Sequence, residues 1–293
     1  MIRWKAFLMS MAAVMVGGNA FAQAPAPAPF TFCGSGSFFA LEVVGLTADQ
    51  SLICVNEFAP RVALRTVPVT GLAMGETLVG IDFRPANGQL YGLGSLGGVY
   101  LINSAGLATL TSTLVTAVGG PAVPLMGTSF GVDFNPVPDR LRIISDAGQN
   151  LRINVDNGVT LVDGALNNAT VAPPTPALGF TAVAYTNNDA DPTTNTVLYD
   201  IDTIGNQLEI QSPPNAGALN PVGALDVDTG LSSSIDIYTQ LGGGTTVQVK
   251  ALSALSIGTG VQLFLTDLTT GSNRLRGTFS TNVIGIAIPL AQN

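Results

Sequence analysis

Asp82, Asp133 and Asp236 fall at one position of a pattern that recurs along the chain. Carboxyl groups gathered about 5–10 Å apart are the machinery of glycoside hydrolysis, one kept protonated as acid and the other serving as nucleophile or base. These three therefore define the chemistry expected of a carboxylate-dependent glycoside hydrolase or lyase. The competing expectation is structural: each aspartate accepts backbone N–H bonds in a turn and recurs because its unit recurs. Aromatic platforms for stacking sugars are few, with five tyrosines and a single tryptophan, Trp4.

Other groups suggest other chemistry. Asn187, Asp189, Asp191 and Asn195 lie in one oxygen-rich loop, and calcium takes six to eight oxygen ligands, so this loop is a candidate calcium site. It lacks the full EF-hand pattern, and Asx-rich loops also bond their own backbone. Arg140 and Arg142 share a strand face, with Arg152 expected on the adjoining strand, so the three form a possible anion cluster. Pairing with Asp139 and Asp146 is the structural alternative. Cys33 and Cys54 are the only cysteines and are expected to form a disulfide. The chain has no histidine, which excludes Ser-His-Asp and Cys-His nucleophile systems and His-ligated metals. A Walker-type phosphate loop is absent as well.

The elements that must position these residues follow from an internal period. Gly80-Ile81-Asp82-Phe83 aligns with Gly131-Val132-Asp133-Phe134, Ala182-Val183-Ala184-Tyr185, Ser234-Ile235-Asp236-Ile237 and Gly285-Ile286-Ala287-Ile288, at steps of 51, 51, 52 and 51 residues. Such a step in a Gly-rich chain poor in helical patterns points to propeller blades of four short antiparallel strands. The unit opening at Gly80 reads as strands over 80–83, 90–93, 99–102 and 108–110, separated by turn signals such as Ala86-Asn87-Gly88. The N-terminal unit offers three strands, over 38–43, 52–56 and 62–66, and lacks the opening tetrapeptide. The last strand, 283–288, resembles that opening and has no unit after it. A five-bladed β-propeller whose C-terminal strand completes the first blade satisfies both ends.

Met1 to Lys5 supply a basic start, an apolar run follows, and Ala20-Phe21-Ala22 offers a small-x-small cleavage site, so residues 1–22 read as a signal peptide. The apolar run is too short for a membrane span, and the mature chain is expected to have none. Residues 23–32 form an Ala/Pro-rich spacer, and 33–293 a single propeller domain. Beyond residue 22 there are nine basic and nineteen acidic residues, a balance that argues against nucleic acid as a partner.

Residues 80–94 (GIDFRPANGQLYGLG), 127–154 (GTSFGVDFNPVPDRLRIISDAGQNLRIN), 184–189 (AYTNND) and 197–202 (VLYDID) resemble a secreted bacterial family, domain of unknown function 4394. The resemblance covers residues 38–288, and its Asn-Pro-Val-Pro-Asp-Arg segment is its most specific part. It implies export and a propeller-like fold, and brings no catalytic residues with it.

The reading favoured on sequence is an exported, non-catalytic propeller, periplasmic or extracellular. It would serve as a binding or structural module for a glycan, an envelope component or a protein ligand, with no cofactor other than possible calcium. The alternative is the glycoside hydrolase or lyase with Asp82, Asp133 and Asp236 in the axial channel.

Overall fold

The aligned tetrapeptides become the innermost strands of five sheets arranged around one axis. A computed structural model describes residues 30–33, 41–188, 195–242 and 245–290; the expected signal peptide lies outside the described residues, as does all but the end of the spacer. The strands run β1 (Glu42–Thr47), β2 (Ser51–Asn56), β3 (Ala63–Pro68); β4 (Leu78–Arg84), β5 (Gln89–Gly94), β6 (Gly98–Ile102), β7 (Ala108–Thr113); and β8 (Phe130–Asn135), β9 (Arg140–Ser145), β10 (Asn150–Ile153), β11 (Thr160–Val162). Then follow the short β12 (Asn167–Asn168) and β13 (Thr175–Pro176), before β14 (Phe180–Tyr185), β15 (Leu198–Asp202), β16 (Gln207–Gln211) and β17 (Ala218–Ala224). The last are β18 (Ser234–Gly242), β19 (Thr245–Ile257), β20 (Gly260–Thr266), β21 (Asn273–Thr278) and β22 (Val283–Ala287).

Blade 1 has the order β22-β1-β2-β3, so the C-terminal strand lies innermost and closes the ring against the chain's first strand. Blades 2, 3 and 5 are β4 to β7, β8 to β11 and β18 to β21, each in sequence order from the axis outward. Blade 4, β14 to β17, gains two strands at its outer edge, where β12 pairs parallel with β17 and antiparallel with β13. Within the four-stranded blades every pairing is antiparallel. Among the described residues no helix is long and apolar enough to cross a membrane.

Small residues open the innermost strands because the strands crowd at the axis. A Cβ on Gly80 would stand 2.6 Å from Val132 Cγ2, and one on Gly131 would stand 2.9 Å from the backbone nitrogen of Val183. Each blade therefore meets the next at backbone distance, and the apolar core divides into five clusters, one per seam. Leu46, Ile81 and Phe83 pack between blades 1 and 2, and Phe134 and Ile143 with Leu93 between 2 and 3. Phe180 and Leu198 with Ile144 fill the seam between 3 and 4, Ile201 and Ile237 that between 4 and 5, and Leu252 and Ile286 that between 5 and 1.

The N-terminal segment is tied to this ring twice. Cys33 and Cys54 form a disulfide, and Phe30 and Phe32, at the end of the expected spacer, pack on blades 1 and 2. Phe32 is buried, and Phe30 sets its ring 5.2 Å from that of Phe83. The first strand also runs further than its apolar run suggested, over Glu42–Thr47 where the sequence put its end at 43, while 38–40 lie outside the described residues. Both faces of β1 are covered by neighbouring blades, so its residues carry no alternation from which to read a start.

Candidate functional site

The three aspartates meet on the axis. Asp82 on β4, Asp133 on β8 and Asp236 on β18 each present a carboxylate oxygen, and those oxygens lie within 4.8 Å of one another. All three side chains are buried, with residue exposures of 7%, 4% and 5%.

Their oxygens are occupied by backbone, mostly across the seams. Asp82 accepts from the N–H of Phe134 on blade 3 at 2.7 Å, Asp133 from that of Tyr185 on blade 4 at 2.8 Å, and Asp236 from that of Ile288, beside β22 of blade 1, at 2.5 Å. Each of these bonds spans 52 residues, one repeat plus one, so the recurrence in sequence is the recurrence of an inter-blade staple. Asp82 and Asp236 use their second oxygens on the N–H groups of Phe83 and Ile237. At the two seams whose aligned residue is Ala184 or Ala287, amides perform the same task. Asn188 bonds both Ile237 and Thr239 between blades 4 and 5, and Gln50 bonds both backbone groups of Leu78 between blades 1 and 2. Gln50 escaped the sequence reading because it stands in a turn outside the repeat's register.

Crowding and burial set the protonation. Burial pushes Asp82 and Asp133 well above the usual carboxylate range; repulsion from Asp236 adds to this for Asp82, and from Asp82 and Asp236 for Asp133. Burial raises Asp236 to about 6, against the pull of the Ile288 and Ile237 N–H groups. Burial and mutual repulsion make all three carboxyl groups hold their protons to higher pH than free aspartates do. The folded ring thus retains protons that an unfolded chain releases above about pH 4, so this contribution to stability is full below that pH and is lost as pH rises through the folded values. The Asp236 shift alone corresponds to about 3 kcal/mol. The melting midpoint is expected to rise between about pH 8 and about pH 5, and Asp133→Asn should flatten that rise. An amide at position 133 still accepts from Tyr185 and adds donors toward the other two carboxyl groups. A midpoint that fell steadily over the same interval, followed by calorimetry, would contradict the proton-sharing arrangement.

At one mouth of the channel Val79, Phe130, Thr181, Ser233 and Ile284, one from each blade and each preceding an aligned tetrapeptide, line a cavity of about 120 Å³. That is below the roughly 300–1,000 Å³ of ordinary ligand pockets.

The arginines are only partly brought together. Arg142 is fully buried and donates to Tyr185 Oη, Asn150 Oδ1, Asp163 Oδ2 and Asn215 Oδ1, joining blade 3 to blade 4. Arg152 grips the same Asp163 through both oxygens, at 2.6 and 2.8 Å. Arg140 instead turns back to the carbonyls of Pro138 and Asp139. Asp139 is held by Arg84, which also clamps Asp156, and Asp146 caps Thr128 and Ser129. In the candidate calcium loop the Asn187 amide donates to the carbonyl of Asn195, while Asp189 and Asp191 lie outside the described residues.

A wider concavity of about 600 Å³ lies on blade 5, lined by residues of β19, β20 and β21, among them Lys250, Arg274 and Arg276. Lys250 Nζ reaches Glu57 Oε1 of blade 1 at 2.8 Å, and Arg276 lies 3.6 Å from the other oxygen of that fully buried carboxylate. The sequence reading missed this groove, since position 57 is 193 residues from 250 and no local pattern links them.

No curated protein matches the chain in sequence. Among solved structures it is similar to an auxiliary nutrient binding protein from Bacteroides thetaiotaomicron, at 14% identity and a TM-score of 0.38, over 64% of this chain and 48% of that one. It thus spans about half the length of that protein. A protein of unknown function from the same organism gives 14% identity and a TM-score of 0.44, over 88% of this chain and 68% of that one. TolB from Acinetobacter baumannii gives 14% and 0.43, over 87% and 68%. At such scores these likenesses carry no information about function. The model of one family, described as a domain of unknown function (DUF4394), matches residues 51–287, from the second strand of blade 1 to the strand that closes the ring, and the chain belongs to that family.

Proposed function

We propose that this chain is an exported, non-catalytic propeller that serves as a binding or structural module of the cell envelope or extracellular space. Its partner would be a glycan, an envelope component or another protein, taken at surfaces away from the axis. The observation that carries the reading is the use of Asp82, Asp133 and Asp236. Their oxygens bond the backbone of neighbouring blades, and all three side chains are buried. The Cys33–Cys54 disulfide supports export, since such bonds persist in oxidising compartments.

One feature favours the enzyme instead: three neighbouring carboxyl groups, all pushed upward by burial, are of the kind that glycoside hydrolysis uses, where one of a pair must keep its proton. Glycan-array binding combined with hydrolysis and lyase assays on the exported chain separates the two. Retention of a ligand without turnover, unchanged in Asp133→Asn, is expected. Product release that disappears in Asp133→Asn would establish the enzyme, because that substitution preserves the staple.

A further inference from the structure

The mature chain spends its few cations sparingly. Arg84, Arg142 and Arg152 are each committed to aspartates. Three of the nine basic residues beyond residue 22, Lys250, Arg274 and Arg276, line one groove on blade 5, where Lys250 and Arg276 share Glu57. Arg274 is exposed, and among the described residues it has no ion-pair partner. The guanidinium of Arg276 lies 4.6 Å over the ring of Phe58, and its Nε is buried without a hydrogen-bond partner. Its 3.6 Å approach to Glu57 Oε2 is a loose ion pair, and that oxygen too lacks a hydrogen bond. A buried, unsatisfied charged donor is costly, and a guanidinium fork satisfies itself best on a planar or tetrahedral oxyanion.

The rest of the groove suits a hydroxyl-bearing body. Gln248, Thr269 and Ser272 put amide and hydroxyl groups on its wall, while Val249, Leu265 and Leu268 give it apolar surface. The one acidic residue of the lining, Asp267, turns its carboxylate into its own loop, accepting from the N–H and hydroxyl of Thr269 at 2.8 and 2.6 Å. A volume of about 600 Å³ lies within the usual range of ligand sites. In a chain of net charge −8, a hollow where three cations outnumber the carboxylates of Glu57 and Asp267 is locally positive and focuses potential on an anion.

The geometry points to this groove as the binding site for an acidic oligosaccharide, its carboxylate or phosphate oxygens seated between Arg274, Arg276 and Lys250. The assignment rests on the reading of the chain as a binding module, and names that module's site and ligand class. Titration of the isotope-labelled exported chain with trigalacturonate, glucose 1-phosphate and uncharged galactotriose, followed by amide chemical shifts, tests it. The charged probes are expected to move the amides of 248–251 and 265–276, and galactotriose to leave them in place. Arg274→Glu, on an exposed and unpaired position, should keep the fold and weaken binding at least about tenfold, the loss of about 1.4 kcal/mol. Whichever charged probe binds more tightly decides between carboxylate and phosphate. Equal binding of galactotriose, or undiminished affinity in Arg274→Glu, overturns the groove. If galactotriose moves amides on another face only, or no probe moves any amide, the groove fails, while the binding module stands or falls on the array and turnover assays.

Discussion

A chain ending at Thr281 is expected not to fold. The missing strand, β22, pairs with β1 through Val44 to Ala287, Gly45 to Ile286 and Leu46 to Gly285, and it also packs against the innermost strands of blades 2 and 5. It buries Val283, Ile286 and Ile288 almost completely. At roughly 1.5–3 kcal/mol for each large apolar side chain, that loss is about 5–9 kcal/mol, most of the ~5–15 kcal/mol that holds a typical domain. The cut also opens both neighbouring seams and removes the acceptor relation between Asp236 and Ile288. Circular dichroism melts and recovery of soluble chain would report it. A circular permutant carrying residues 281–290 ahead of Leu41 should melt cooperatively again. A truncated chain that melts cooperatively at the original temperature would show that the ring does not depend on its closure.

Replacing Arg142 with Ala should cost about 3–5 kcal/mol, the usual penalty for breaking a buried ion pair from one side. The side chain is the largest of those fully buried among the described residues, and of its four acceptors, on Tyr185, Asn150, Asp163 and Asn215, the first two are buried as well. Asp163 would keep Arg152, but the buried Asn150 amide and Tyr185 phenol would lose their charged donor. The midpoint should fall by about 10 °C. Arg142→Lys should fare nearly as badly, because an ammonium cannot spread donors over four separated acceptors. Arg140→Ala, by contrast, should stay within about 0.5 kcal/mol of the parent, as its bonds are to neighbouring carbonyls at the surface. Parallel thermal melts of the three variants would check the ranking, and an Arg140 effect as large as that of Arg142 would refute it.

The contrast between these two arginines, two positions apart on one strand, shows where sequence reading stops. Alternation places Arg140 and Arg142 on one face of β9, and register sets Arg142 opposite Arg152. Their shared partner is Asp163, beyond the edge strand β11, and not Asp139 or Asp146. Proximity in sequence favoured the wrong carboxylates because the hairpin returns the chain a strand later. The aspartates tell the same story at larger scale. The 51-residue step located all five innermost strands, and the orphan strand at each end foretold the closure. Nothing in a single repeat, however, says that a carboxylate reaches one repeat plus one residue ahead. That relation belongs to the angle between neighbouring sheets, which only the closed ring defines. The groove on blade 5 is further from reach still, since Lys250 and Glu57 approach each other only because the two ends of the chain share a seam.

The distribution of staples also gives the ring two kinds of joint. Seams 2–3, 3–4 and 5–1 combine an axial carboxylate with a buried cation cluster built on Arg84, Arg142 or Lys250. Seams 1–2 and 4–5 rely on hydrocarbon and a neutral amide from Gln50 or Asn188. Hydrophobic contact weakens on cooling, whereas ionisation governs the charged joints, so cold and alkali strain different parts of one circle. By their polar links the blades therefore fall into two arcs, 2 to 4 and 5 to 1, joined end to end where the link is an uncharged amide.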